Sequence, residues 1–498
     1  MNNRSSGILL HITSLPGPYG IGTLGRPAYD FVDFLHESGQ TYWQILPLGI
    51  TSYGDSPYQS PSAFAGNHYL IDLDLLVASG YLKKEDLAHL PEASIDDPVD
   101  FHDIFITRIP LLKIARRNRP EELEPAIAAF RQTHRQWLEP FALFMAIKAH
   151  FNLVPWTEWP EAYKNREAEA LENFARENRE EIDFWVFVQY LFFKQWQDLK
   201  LYAGEKGIRF IGDLPIYVAE DSVDVWNNPE LFLLNDQKQP TLVAGCPPDD
   251  FSATGQLWGN PLYDWHQMKA RGYQWWIRRI AMAMTLYDKV RIDHFRGFEA
   301  YWEIPSGSPT AQTGQWTQGP GLELFKAIEE ALGPVDIIAE DLGYLTPSFY
   351  DFKDKTHFPG MNVMQFCFDA RDTSNALPHD FEVNSLVYTG THDNATTKGW
   401  LQEDLTEEDF TLAKEYLALT EEEGYVEGII RGALATVCTI AVIPMQDYLN
   451  LGNEARMNTP STRDGNWRWR MSRNALTGDL ARSIRHRTEV FRRLNHGI

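Results

Sequence analysis

At 498 residues, with 44% hydrophobic and 23% charged side chains, the chain has a folded globular composition and length enough for one large α/β barrel with insertions or for two or three ordinary domains. Its formal charge of −24, with no basic run, repels phosphate backbones and anionic bilayers, so neither nucleic acid nor membrane is expected as a partner. Cys246, Cys367 and Cys438 are far apart without zinc-ligand spacing, no apolar run reaches the roughly 18 residues of a membrane span, and the N-terminus lacks a cleavable-leader pattern, so a soluble, cytoplasmic protein is expected.

The first strand is expected in GILLHITSLP, ended by the turn signal Pro16-Gly17-Pro18. A helix through AYDFVDFLHESG follows, with Gly39 as its stop, and TYWQILPL gives a second strand. Over 50–202 this rhythm breaks. A polar aromatic loop, TSYGDSPYQSPSAFAGNHYL, leads into charged, Trp-bearing stretches whose apolar residues recur three and four apart, which marks one or two helical insertions between strands two and three.

IRFIGDLPIYV is the third strand, followed by a Gly-rich stretch whose 245–260 portion reads as an active-site loop, then a helix around YQWWIRRIAMAMTLY. The fourth strand ends in VRIDHFR. By period two it puts Arg291 and Asp293 on one face, Val290 and Ile292 on the other. Helix GLELFKAIEEALG leads to VDIIAEDLG, and MNVMQFCF, SLVYTGTHD and VCTIAVIPMQDYL complete eight strands. That count predicts one (β/α)8 barrel spanning 1–498, with largely helical insertions between barrel strands.

Four of these strands end in acids: Asp213, Asp293, Glu340 and Asp393. Barrel sites form at the C-terminal strand ends, so all four are expected at one mouth. Clustered carboxylates serve glycosidic-bond chemistry, one ionised as nucleophile and one protonated as acid, or they bind a hard cation. Arg291 beside Asp293 weighs against the cation and favours an ionised Asp293. Tryptophan and tyrosine in polar loops such as GQLWGNP and DGNWRWR suit sugar rings.

IGDLP, VRIDHFRG, IIAEDLG and GTHDN resemble the conserved regions of the α-amylase superfamily. SPYQSPSAFAGN, GCPPDDFSATGQLWGNP and NTPSTRDGNWRWR resemble the 4-α-glucanotransferases of glycoside hydrolase family 77, and the likeness runs from the first strand to about Arg470. The resemblance implies a retaining transfer of α-1,4-glucan segments to acceptor sugars such as glucose or maltose, with neither cofactor nor metal. It assigns Asp293 as nucleophile, Glu340 as acid/base and Asp393 as transition-state stabiliser. Arg291 beside the nucleophile, His294, His392 and Asp213 would bind or orient the sugar, and Tyr58 would stack under the donor. Trp258 and Phe366 match acceptor-side platforms, although Phe366 on an apolar strand also fits a core position. One departure is His68 in GNHYL, where many relatives carry proline, which bears on loop stiffness. A shared glucosyl-enzyme leaves two other readings, a glucan hydrolase and an inactive glucan-binding protein. The presence of all three acids opposes the second.

Overall fold

The computed structural model describes residues 4–88, 90, 97–248, 252–343, 345–371, 375–462 and 464–495. Eight strands form one parallel sheet: β1 (Ser5–Leu9), β2 (Tyr42–Gln44), β3 (Arg209–Leu214), β6 (Lys289–Ile292), β9 (Ile337–Ala339), β10 (Gly360–Val363), β11 (Ser385–Tyr388) and β12 (Ile440–Pro444). Their order is β10-β11-β12-β1-β2-β3-β6-β9. The two ends of that order meet where the amide of Ala339 donates to the carbonyl of Pro359 at 2.9 Å. The sheet is a (β/α)8 barrel, and each of its strands overlaps one of the eight stretches expected from sequence, with β1, β6 and β10 starting one or two residues earlier.

Parallel strands covered on both faces need apolar side chains on both, which is why β12 is buried along its whole length. Gly212 in β3 is required by close approach: a Cβ there would lie 2.2 Å from the ring of Tyr287. Register then decides what the mouth contains. Asp213 of β3 pairs with Arg291 of β6, and Ile292 of β6 with Ala339 of β9. The ladder continues one residue past the strand ends, with Asp293 N–H donating to Leu214 O and Glu340 N–H to Ile292 O. Both carboxylates are therefore placed by backbone bonds on adjacent strands.

Between β2 and β3 stand the long helices Phe101–Asn118, Glu124–His150, Ala168–Glu177 and Arg179–Glu205. The last two read as one amphipathic run in the sequence. They are separated at Asn178, whose φ of −115° and ψ of 28° leave the helical region.

A second, antiparallel sheet was not foreseen. β4 (Leu242–Cys246), β5 (Gln256–Pro261), β7 (Ala300–Pro305) and β8 (Gln315–Gln318) lie in the order β5-β4-β7-β8. The 245–260 stretch expected as a loop carries paired strand at its two ends, the last residues of β4 and most of β5, and residues 249–251 of it lie outside the described residues. Its glycines and the irregular register between Val243 and Gly245 hide the alternation that marks a strand. Among the described residues no helix is long and apolar enough to cross a membrane.

Candidate active site

Arg291 is the hinge of the mouth. One guanidinium nitrogen bonds both oxygens of Asp213 at 2.9 and 2.7 Å, and the other reaches Asp293 Oδ1 at 3.0 Å. Burial pulls its pKa down, but Asp213 and Asp293 outweigh that and raise it, so it is a fixed cation. Asp213 has no exposed side-chain surface. Its oxygens are taken by Arg291, by the hydroxyl of Tyr58 at 2.6 Å and by the amide of Leu214 at 2.9 Å. It holds other groups in place and leaves no atom for a ligand.

Asp293 and Glu340 share this site on unequal terms. Burial pushes Asp293 up to about 6, with Arg291 opposing and the charges of Asp213 and Asp393 adding. Burial pushes Glu340 higher, to about 7, with Arg291 again opposing and Asp293 adding. Among the described residues Glu340 has no direct cation; its oxygens accept from the backbone amides of His294 at 2.6 Å and Leu342 at 2.9 Å. The direct bond to Arg291 explains the order. Asp293 ionises first and Glu340 keeps its proton longest, the split that an anionic nucleophile and a proton donor need.

The bond from His294 to Glu340 depends on local backbone: His294 is left-handed, at φ 51° and ψ 47°, an uncommon state for a residue with a Cβ. Its ring nitrogen Nε2 is buried without a protein partner among the described residues, and burial, then Arg296, lowers its pKa to about 3. It is a neutral imidazole with a free polar atom. Trp258 packs edge-on to it, centroids 4.8 Å apart and planes at 84°.

On the far side runs a second chain of contacts. Tyr58 Oη, which donates to Asp213, also lies 2.8 Å from His392 Nε2, so Nε2 carries the proton and donates to it. The same nitrogen is 3.4 Å from Asp393 Oδ2. Burial lowers the pKa of His392, and the ring is neutral. The Tyr58 and His392 rings lie nearly parallel, 14° apart, so Tyr58 is locked at its hydroxyl and along its ring. Asp393 keeps 40% of its side chain exposed.

Phe366 is not core: it sits on the turn Met364–Phe366 after β10 and is 36% exposed. His68 is buried, edge-on to Trp185, in a short turn that the side chain of Asn67 caps by accepting from Tyr69 N–H. Four residues escaped sequence reasoning. Asn458 Nδ2 donates to Asp393 Oδ1 at 2.6 Å and Arg456 to the Asp393 carbonyl at 2.7 Å. Trp467 lies against Tyr58 and His392. His11, kept neutral by burial at a pKa of about 3, sits behind His392 and accepts from Leu46 N–H. The stretch NTPSTRDGNWRWR begins at Asn458 and holds Trp467, so the signal was present without the partners.

Comparisons with known proteins bear on the family and the fold. The sequence profile of a family described as 4-alpha-glucanotransferase matches residues 10–477. A 4-alpha-glucanotransferase of Clostridium butyricum is 49% identical over 97% of this chain and 100% of its own length. One from Streptococcus pneumoniae serotype 4 is 48% identical over 100% of this chain and 99% of its own. Among solved structures, an amylomaltase from Streptococcus agalactiae in complex with acarbose superposes with a TM-score of 0.96 at 45% identity, covering 99% of this chain and 100% of that one.

Proposed function

The chain belongs to the 4-alpha-glucanotransferases of glycoside hydrolase family 77 and catalyses glucan transfer, and from that premise we propose a retaining double displacement with Asp293 as nucleophile and Glu340 as acid/base. Glu340 gives its proton to the glycosidic oxygen while Asp293 attacks the anomeric carbon. The bond to the leaving sugar breaks and a β-glucosyl-enzyme forms. Glu340, now ionised, takes the proton of an acceptor hydroxyl, whose oxygen attacks the same carbon and releases Asp293.

The observation that carries this reading is the unequal setting of the two acids, one bonded to Arg291 and the other held only by two amides. Asp393, fixed by Asn458, and the neutral rings of His294 and His392 supply hydrogen bonds to sugar hydroxyls. Asp213 acts through Arg291 and Tyr58. Trp258 and Phe366 take the acceptor side, and Tyr58 lies under the donor. The substrates are α-1,4-glucans, with glucose and maltose among the acceptors. The chain works as one catalytic barrel over 1–498, with 50–202 as helical subdomains and 245–260 as a wall of the site. Three free cysteines support a cytoplasmic setting.

Incubated with maltotriose, the protein is expected to yield glucose together with a ladder of longer maltooligosaccharides. Accumulation of glucose and maltose alone would mean that water, not sugar, resolves the intermediate. The acids also set a pH profile. Asp293 must be ionised and Glu340 protonated, so kcat/KM should fall below about 6 and above about 7. An acid limb near 4, where ordinary carboxylates titrate, would contradict the half-buried setting of Asp293 among the other acids.

A further inference from the structure

Of the 16 tryptophans, Trp316 is the most exposed, at 37%. An indole left in water forfeits burial that its neighbours obtain, and this one is not loosely held. The guanidinium of Arg296 lies 3.8 Å over its ring, and Trp302 meets it edge-on at 5.2 Å. Trp302 is itself tied down, its Nε1 donating to the carbonyl of Ala311 at 2.9 Å. Trp316 therefore presents a rigid aromatic surface to solvent at the edge of the antiparallel sheet.

Its place relies on the turn that follows the nucleophile. Arg296 lies two residues after His294, whose amide holds Glu340 and whose ring packs on Trp258. The sheet runs from that neighbourhood to Trp316. Leu257, the residue before Trp258, pairs with Gly245, Gly245 with Trp302, and Trp302 with Trp316. Residues directly opposite in an antiparallel ladder share a face. That row carries two exposed apolar side chains, Leu257 at 42% and Trp316, three strand spacings or roughly 14 Å apart.

We infer that Trp316 is a binding platform for α-1,4-glucan units remote from the cleaved bond, so that it sets preference for long chains over short ones. This rests on the glucan-transfer reading above. The apolar C–H face of a glucose ring packs on the indole, and Arg296 fixes the ring's angle from behind. A trisaccharide held at the cleavage point gains little from it, whereas a long chain that leaves the site past Trp258 and turns over the β5 edge onto the opposite face, where alternation places Leu257 and Trp316, reaches it.

The test compares wild type with Trp316→Ala, Trp316→Thr and Trp316→Tyr, using maltotriose and short-chain amylose as donors. Trp316→Thr keeps a strand-forming residue at the site if alanine weakens β8. The ratio of the amylose KM to the maltotriose KM is expected to rise roughly three- to tenfold in Trp316→Ala and Trp316→Thr, and less in Trp316→Tyr, which keeps a ring. Maltoheptaose should also quench tryptophan fluorescence of Asp293→Asn protein, and less of it once Trp316→Thr is added. A ratio that stays constant in all variants, or KM values that rise together for both donors, would overturn the platform. Loss of the maltotriose ladder in wild type would instead overturn the transfer reading.

Discussion

Asp293→Asn is expected to lower kcat on maltotriose by on the order of 10⁴-fold or more while shifting the melting temperature by no more than about 4 °C. The amide keeps the volume of the side chain and its oxygen still accepts from Arg291, but it carries no charge with which to attack. What protects the fold is the other half of the Arg291 contact. Both Asp213 oxygens bond the guanidinium, so removing the Asp293 charge leaves no unpaired buried cation. Steady-state rates and a thermal melt on the same preparation check the two halves of the claim. Turnover within about tenfold of wild type would remove Asp293 from the nucleophile role, and a collapse in melting temperature would mean that Asp213 alone does not neutralise Arg291.

The barrel was legible because parallel strands buried on both faces are short β-branched runs, and four of them end abruptly in acids. Period two also put Arg291 and Asp293 on one face. What sequence does not contain is register between distant strands. That Asp213 lies opposite Arg291, 78 positions away, follows from pairing of β3 with β6 and turns an expected sugar contact into a buried anchor. The same holds for Asn458, which reaches Asp393 across 65 positions. The antiparallel sheet was missed for a local reason. Its strands are broken by glycine and by irregular pairing, so β4 and β5 read as loop, while YWEIP and QWTQ are too short to stand out between their turns. Asn178 shows the converse: apolar spacing continued through it, but a residue whose side chain bonds the Phe174 carbonyl ended one helix before the next began.

Glu340→Gln is expected to lower kcat on maltotriose by about 10²- to 10⁴-fold and to spare only the first, bond-breaking step of a donor whose leaving group needs no proton. With α-glucosyl fluoride the glucosyl-enzyme should still form, then wait, because no base remains to take the acceptor's proton. Azide, an anion that needs none, should restore turnover and give α-glucosyl azide. The alkaline limb near about 7 should disappear from kcat/KM for the fluoride, since the group that titrates there is gone. This variant should also be less stable than Asp293→Asn. Glu340 accepts on both oxygens, from His294 N–H and Leu342 N–H, and an amide has only one acceptor to offer. One buried amide loses its partner, which costs about 1–3 kcal/mol. Azide rescue without the stability loss would mean that the two amides are not fixed on Glu340. A stability loss without rescue would place the acid/base elsewhere, and leave Glu340 as the clamp that holds His294 left-handed.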